Sequence, residues 1–351
     1  MNCYIVKTDS KDRSLMKKAM IKFVIVLLVV IVCLNIVAML GVSIAHSRVF
    51  SRCSLKEYDT DYFLTYNDID TQKYPREELT IPSGGNKLQG FLYNAQSSQG
   101  LIIVSPGHRD YSDIKLPEIL YFVDKGWMVL CYDYTGCYGS EGKDMVGYTQ
   151  APTDLNAVLE FVEDNNRFSN LPILLFGHSL GAYASSAVLQ YNPPVQAVVA
   201  ASGFDDPMEQ WGYSVKRSTG IFGGLLSPYA KLLMQLKFGD RAHFSAIDGI
   251  NSTDIPVLVM QGTTDEYYGD VSSIYKHRDK ITNKSCVLRL MDKEDHHGHY
   301  DYFLSDAAVA YKQKIKESTV NSESIDKFLY IEHDTKIMDE INQFYLDAII
   351  K

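Results

Sequence analysis

Short apolar runs recur along most of the chain, and polar stretches separate them. Continuous runs of this length are typical of strands that are buried on both faces of a sheet. Six such runs lie at 101–105, 127–132, 172–177, 195–200, 256–261 and 286–291. Ahead of them, the segment EELTI and the run 87–94 flank the turn sequence PSGGN, which predicts a hairpin.

Stretches with apolar residues at helical spacing fill most of the gaps between these runs. They lie at 116–125, 152–165 and 180–191, and two more follow the last run at 304–317 and about 335–350. A repeated order of strand, helix and strand predicts an α/β fold, in which a mainly parallel sheet carries helices on both faces.

The interval 203–253 breaks this alternation. It is too long for a crossover loop, and it contains apolar residues of its own. We interpret it as an inserted helical cap over the end of the sheet. Its apolar stretch, residues 221–238, is expected to line a pocket for an acyl chain.

Residues 23–45 form a run of 23 residues without a charge, which can cross about 30 Å of hydrocarbon as a helix. Six Lys and Arg residues lie within residues 1–22, and three follow the run closely. This bias predicts an uncleaved transmembrane signal anchor with a cytoplasmic basic tail, and it places residues 46–351, with the catalytic domain, on the extracytoplasmic side of the cell membrane. A cleaved signal with a weak site at 43–45, which would give a secreted protein, is the alternative.

The part beyond the anchor is acidic. The chain has 34 Lys and Arg against 43 Asp and Glu; the first 22 residues hold six and two of these, which leaves 28 basic and 41 acidic residues. Such a balance is a poor fit for nucleic acid as a partner. Residues 46–75 are polar and rich in tyrosine, so we expect a stalk and lead-in segment there and a globular domain at 76–351.

The six cysteines are too few and too scattered for a disulfide framework in a domain of this size. Free or buried thiols are therefore expected. A bridge between Cys131 and Cys137 is the alternative.

The sequence Gly177-His178-Ser179-Leu180-Gly181 joins a predicted strand to a predicted helix. A sharp turn at this point places the serine in a strained backbone conformation, lifts its hydroxyl clear of the sheet and leaves room only for glycine nearby. The next backbone N–H lies at a helix start, where it can stabilise an oxyanion. Ser179 is thus the candidate nucleophile; an ordinary strand–helix turn is the alternative.

An acid and a base are expected after the serine in the chain. Asp265 follows the strand 256–261 and leaves the sheet at the same edge as Ser179. Capping of the next helix is its alternative role, and the adjacent Glu266 should point elsewhere.

The base is expected in MDKEDHHGHYDYF, which holds His296, His297 and His299. His299 lies between the glycine turn and three aromatic residues that can anchor the segment, so it is the favoured base; His297 and His296 are the alternatives. A metal on the pair His297 and His299 is disfavoured because no carboxylate cluster accompanies it. No metal or cofactor is expected.

Four motifs give the chain a resemblance to the α/β-hydrolase superfamily: IVSPGHRD (103–110), CYDYTGCYGSEG (131–142), FGHSLGA (176–182) and QGTTDEYY (261–268). It is most similar to the bacterial membrane-anchored or secreted branch related to serine aminopeptidase-like and monoacylglycerol-lipase-like hydrolases, over about residues 76–350. Two positions depart from the family pattern, since Pro106 stands where a histidine is usual and Thr135 where an arginine is.

The resemblance implies an α/β-hydrolase fold and roles for several residues. Gly298-His299 matches the family's final motif, which favours His299 as base. The backbone N–H groups of Leu180 and His108 are implied as the oxyanion hole. His178 is implied to be structural.

These residues predict a serine hydrolase that cleaves carboxylic esters, with lipid-like esters as candidates, through Ser179, His299, Asp265 and an acyl-enzyme. A peptidase or amidase with the same residues is the alternative, and Asp205, Asp206 and Glu209 are available to hold an α-amine. Acyl transfer and a non-catalytic surface binding module are further alternatives. The expected partners are a small-molecule ester and the membrane. Nothing in the sequence indicates the oligomeric state.

Overall fold

A computed structural model describes residues 10–54, 62–220, 223–317 and 325–350. All eight predicted strands form one sheet in the order β1-β2-β4-β3-β5-β6-β7-β8. The strands are β1 Arg76–Ser83, β2 Asn86–Tyr93, β3 Leu101–Ser105, β4 Met128–Tyr132, β5 Ile173–His178, β6 Val195–Ala201, β7 Val257–Gly262 and β8 Cys286–Met291. The hairpin β1–β2 joins β4 in antiparallel pairing, and β3 to β8 pair in parallel.

Helices cover both faces of the sheet. They are α1 Ser10–Val49, α2 Leu116–Asp124, α3 Gln150–Glu163, α4 Leu180–Ala187, α5 Pro207–Thr219, α6 Gly223–Phe238, α7 Ala246–Asn251, α8 Gly269–Ser272, α9 Asp306–Glu317, α10 Lys327–Tyr330 and α11 Thr335–Ile349. One core cluster holds Leu155 of α3 and Ile247 of α7, and the other holds Ile119 of α2 and Ile341 of α11. The predicted α/β architecture is confirmed.

The interval 203–253 contains three helices with two different roles. Helices α5 and α6 pack on each other, whereas α7 packs on α4 and leads into β7. Asp206 accepts the N–H groups of Met208 and Glu209, and Pro207 follows it at the first helical position, so α5 starts at a well-capped end. The cap is therefore the pair α5 and α6, and α7 is the crossover helix of the sheet.

Helix α1 joins the domain directly at its C-terminal end. Among the described residues, α1 is the one helix whose length and composition would allow it to cross a membrane, over Arg13–Val49. Val42, His46 and Phe50 are buried in the domain. The Phe50 carbonyl then accepts the N–H of Met145 at 2.8 Å. The start of the segment predicted as a stalk is thus part of the domain core.

Helix α6 runs beside α1. The Tyr229 hydroxyl donates to the Asn35 side-chain oxygen at 2.8 Å. Three leucines on the outer side of α6, Leu225, Leu232 and Leu236, are exposed. Part of the apolar surface of α6 therefore faces α1 and the outside of the molecule, whereas Ala230, Met234 and Phe238 are buried in the core.

The described cysteines are all free thiols. Cys131 lies in β4, where its sulfur contacts the Ser112 carbonyl at 3.9 Å. The alternative bridge between Cys131 and Cys137 is therefore not formed.

Candidate active site

Ser179 lies at a sharp turn between β5 and α4. Its backbone angles are φ 60° and ψ −119°, a conformation that is strained for a residue with a side chain. A Cβ at Gly181 would lie 2.0 Å from the Ser105 carbonyl oxygen, and one at Gly177 would lie 2.1 Å from the Gly181 oxygen. Glycine is therefore required on both sides, because the backbones of β3, β5 and α4 meet there.

The Ser179 side chain lines a cavity of about 360 Å³ at the carboxyl edge of the parallel strands. The cavity wall consists of Gly107, His108, Asp110, Tyr148, His178, Ser179, Gln210, Tyr213, Ser214, Arg217, Tyr267, Tyr268 and His299. Ser179 and His299, which are 120 residues apart in sequence, thus share one cavity.

Asp265 and His299 form a buried pair beside the cavity. The His299 Nδ1 lies 2.8 Å from Asp265 Oδ2, and the Asp265 side chain has no exposed surface. The other carboxylate oxygen accepts the backbone N–H groups of Tyr267 and Tyr268, and Gln261 donates its amide to Oδ2. Burial raises the pKa of Asp265, but the hydrogen bonds from His299, Tyr268 and Gln261 outweigh it and hold that pKa below its usual value. Asp265 is therefore an anion here.

The two other candidate histidines lie outside the cavity wall. Nδ1 of His297 lies 2.5 Å from the Thr264 hydroxyl, and the His297 carbonyl accepts the Thr264 N–H at 2.8 Å. His296 is buried, with Nδ1 3.1 Å from the Glu294 carbonyl and Nε2 3.1 Å from an Asp306 oxygen. Both hold the loop together.

His178 contacts the chain segment of His299. Its Nε2 lies 3.0 Å from the His299 carbonyl oxygen and is placed to donate to it. Burial lowers the pKa of His178 well below the usual range, and the Lys115 charge adds to this. A neutral His178 that holds the backbone of His299 agrees with the structural role implied for it.

Tyr268 is a site residue that sequence reasoning missed. Its hydroxyl is hydrogen bonded to Ser179 Oγ at 2.9 Å, and its ring lies beside that of His299 with centroids 5.1 Å apart. Burial raises the pKa of Tyr268, so the hydroxyl stays protonated. The sequence signal that could have identified Tyr268 is its position three residues after Asp265. Asp265 accepts the Tyr268 N–H, and this turn brings the Tyr268 side chain to Ser179.

The residues implied as the oxyanion hole lie on either side of Ser179. His108 lines the cavity, and its ring packs edge-on to those of Phe50 and Tyr148. Burial, with the nearby Arg109, lowers the pKa of His108 to about 4, so its ring is neutral. Leu180 begins α4, where the first backbone N–H groups have no acceptor within the helix. The role of the His108 and Leu180 N–H groups as an oxyanion hole stays a prediction.

The cap contributes a polar surface to the cavity. Gln210, Tyr213, Ser214 and Arg217 lie on one side of α5 and line the cavity, and Arg217 donates to the Glu266 carbonyl at 2.9 Å. None of the described residues of α6 lines it. The described part of the stretch expected to line an acyl pocket, residues 223–238, does not line this cavity, because it packs beside α1 and into the core.

The acidic residues proposed for an α-amine lie in a separate depression with His277. Asp205 accepts the hydroxyl of Ser245 and the N–H of Ile247, and its second oxygen lies 3.0 Å from His277 Nδ1. Asp206 caps α5. These carboxylates support the cap and do not reach the Ser179 cavity. Among the described residues, these included, no group of three or more His, Cys, Asp or Glu side chains is arranged to hold a metal.

A family model of the serine aminopeptidase S33 hydrolases matches residues 96–246, a range that contains the Ser179 elbow. The chain has the fold of the α/β-hydrolase superfamily. It superimposes on an esterase of Pyrococcus furiosus, Pf2001, with 16% identity and a TM-score of 0.55, over 82% of this chain and 96% of the other. It also superimposes on Est1E of Butyrivibrio proteoclasticus in its ferulic acid complex, with 15% identity and a TM-score of 0.51, over 78% and 100%. The family match and these neighbours support the predicted class, an α/β-hydrolase-type hydrolase.

Two relatives are similar to this α/β-hydrolase in sequence. The uncharacterized protein YqkD of Bacillus subtilis is 25% identical over 200 residues, which are 56% of this chain and 65% of that protein. The polyketide transferase grgF of a Penicillium species is 26% identical over 136 residues, which are 38% and 46%. The chain thus spans less than two thirds of the length of the curated relatives that it matches.

Proposed function

We propose that the chain is a serine hydrolase that cleaves carboxylic esters through Ser179, His299 and Asp265. The observation that carries this proposal is the 2.8 Å contact between His299 and the buried Asp265 anion, on a cavity that also holds Ser179 in its strained turn. A serine held at a helix start with a base beside it is the arrangement that nucleophilic catalysis requires.

The proposed reaction is based on the hydrogen bonds that the site residues already form. Asp265 accepts from Nδ1 of His299, which leaves Nε2 to take the Ser179 proton. A bond forms between Ser179 Oγ and the acyl carbon, and the N–H groups of His108 and Leu180 stabilise the oxyanion. The bond to the leaving group then breaks, and His299 gives its proton to the departing oxygen. Water repeats the two steps and releases the acid.

We assign Tyr268 a contact with the reacting oxygen. Its protonated hydroxyl, 2.9 Å from Ser179 Oγ, can donate to that oxygen as the serine loses its proton, so it orients and stabilises the nucleophile. A hydrogen bond to a charged group is worth roughly 1.5–3 kcal/mol.

Replacing Tyr268 with phenylalanine should therefore lower kcat by about 10- to 100-fold and change KM little. Tyr267→Phe is the matched control, because its ring also lies beside His299 while half of the residue is exposed; we expect it to keep activity within about threefold. Equal kcat values for Tyr268→Phe and the unaltered protein would remove Tyr268 from the mechanism.

The cavity favours esters of short acyl groups. Its volume is about 360 Å³, and α5 gives it a polar wall. The expectation of lipid-like esters depended on an acyl pocket in the stretch that in fact packs beside α1. We therefore assign short acyl esters with a polar leaving group as the substrate class.

A panel of p-nitrophenyl esters of rising chain length tests this assignment. We expect kcat/KM for the acetate and butyrate to exceed that for the decanoate by tenfold or more. A maximum at the decanoate would restore the lipid-like class. Cleavage of aminoacyl-p-nitroanilides above the ester rates would support the peptidase alternative, and inertness toward every substrate would support the binding module.

We also propose that α1 is an uncleaved membrane anchor and that the hydrolase domain lies on the extracytoplasmic side of the membrane. Cleavage after Ala45 would remove Val42, which is 1% exposed, and would leave a charged new terminus at His46, which is buried against Trp211. Both changes oppose folding. Protease added to intact cells should digest the domain and leave α1 protected; recovery of a soluble protein that starts at His46 would contradict the anchor.

A further inference from the structure

The segment that follows α1 pairs with the loop between β4 and α3. The Cys53 N–H donates to the Gly136 carbonyl at 3.0 Å, and the Tyr138 N–H donates to the Cys53 carbonyl at 3.2 Å. These two hydrogen bonds flank Cys137 and form an isolated parallel bridge between Cys53 and Cys137. The two cysteines, 84 positions apart in sequence, are thus direct neighbours.

A second set of contacts fixes this pairing. The Arg52 guanidinium donates to the carbonyl oxygens of Tyr138, Ser140 and Gly142 at 2.6–3.0 Å. Arg52 therefore helps to keep Cys53 opposite Cys137, in addition to the two backbone hydrogen bonds that Cys53 itself forms.

The geometry of the pair suits a covalent link. Bridged neighbours in a sheet lie about 4.8 Å apart and direct their side chains to the same side, and a disulfide requires Cα atoms roughly 4.4–6.8 Å apart. Cys53 and Cys137 are 1% and 0% exposed. A hydrogen bond with the Cys53 thiol, together with burial, raises the pKa of Cys137.

We propose that Cys53 and Cys137 are a disulfide-forming pair that fastens the end of α1 to the loop beside the active site. The inference rests on the proposed location of the domain on the extracytoplasmic side of the membrane, where disulfides can persist. Phe50, three residues before Cys53, packs on His108 and Tyr148 of the cavity wall. The link would therefore hold that wall in place.

The step is a two-electron oxidation by a disulfide-bearing oxidant, such as a thiol–disulfide oxidoreductase or oxidised glutathione. The Cys53 and Cys137 sulfurs form one bond, the disulfide bond of the oxidant breaks, and its two sulfurs take up the protons. Because both thiols are buried in the folded domain, the bond is expected to form as the segment docks during folding and then to resist reduction.

Peptide mass spectrometry on the full chain tests the pairing. The protein is extracted from its own cells in detergent without reductant, alkylated with iodoacetamide under denaturing conditions and digested with trypsin. Cleavage after Arg52, Lys56, Lys125 and Lys143 places Cys53 in peptide 53–56 and Cys137 in peptide 126–143. We expect these peptides to be linked, 2 Da lighter than the two thiol peptides together, with Cys131 alkylated.

A parallel sample of the full chain is refolded in a glutathione redox buffer. A linked peptide in both samples supports the proposal. A link in the refolded sample alone supports the pairing and places the domain in a reducing compartment, which overturns the proposed orientation. Alkylated Cys53 and Cys137 in both samples, or a link between Cys131 and Cys137, overturns the pairing.

Thermal unfolding measures what the link does. Reduction of the unfolded chain before refolding, or the double change Cys53→Ser with Cys137→Ser, should lower Tm by about 5 °C or more, since the link closes a long loop in the unfolded chain. Cys286→Ser, at a half-buried thiol on the edge strand β8, is the matched control and should leave Tm nearly unchanged. An equal Tm for the oxidised and the reduced protein would contradict the fastening role.

Discussion

Replacing Ser179 with alanine is expected to abolish ester turnover and labelling by a fluorophosphonate probe. The hydroxyl is the atom that bonds to the acyl carbon, so its loss removes the covalent route and leaves only the oxyanion donors and substrate binding. Loss of a nucleophilic serine costs on the order of 10⁴-fold or more in kcat. Alanine keeps the Cβ in the strained turn, so the fold should survive, which circular dichroism and Tm would verify.

Ser214→Ala is the control for this experiment. Ser214 lines the same cavity from α5, and its hydroxyl donates to the Gln210 carbonyl within the helix. We expect its removal to change turnover by less than about fivefold and to leave probe labelling intact. Normal turnover by Ser179→Ala, or labelling that persists in it, would refute the assigned nucleophile.

Replacing His299 with alanine should lower kcat by several orders of magnitude, because among the described residues of the cavity wall His299 is the one whose side chain is bonded to Asp265 and can take the Ser179 proton. His297→Ala should cost less than tenfold in kcat and act mainly on Tm, since that side chain contacts Thr264 in the acid loop. The two changes therefore separate a base from a loop contact two residues away.

The measurement is kcat together with Tm for both variants. His299 donates to Asp265 and packs between aromatic rings, so some stability is lost with it; kcat measured well below the Tm of the variant removes that contribution. The opposite result, with His297→Ala inactive and His299→Ala nearly normal, would show that the base is assigned two residues too late.

The sequence predicted the sheet and the serine turn because both depend on local pattern. Strands β3 to β7 are continuous apolar runs that end where turn residues begin, and burial on both faces demands that pattern. β8 is a similar run at the edge of the sheet, where four of its six residues are exposed. The glycines around Ser179 are visible for a similar reason, because only glycine tolerates backbone contacts near 2 Å. The position of Asp265 after β7 follows from the rule that parallel strands end at one edge.

What the sequence did not reveal depends on contacts between distant segments. An apolar stretch such as 221–238 must be covered by other parts of the protein. Its periodicity does not indicate which parts; in this chain α1 lies beside the described residues 223–238. The contact of Tyr268 with Ser179 depends on the exact turn after Asp265. Cys53 meets Cys137 only because the chain leaving α1 adds to a loop more than 80 residues later.

The direct junction of α1 with the domain sets where the enzyme can work. Val42, His46 and Phe50 lie in the core, and Phe50 touches the ring of His108 at the cavity wall. If α1 crosses a bilayer as proposed, the candidate catalytic pocket is held at a fixed height above the membrane and faces a fixed direction. A domain on a flexible linker could instead take many heights and orientations. This one would meet only molecules that pass through a thin layer next to the lipid headgroups.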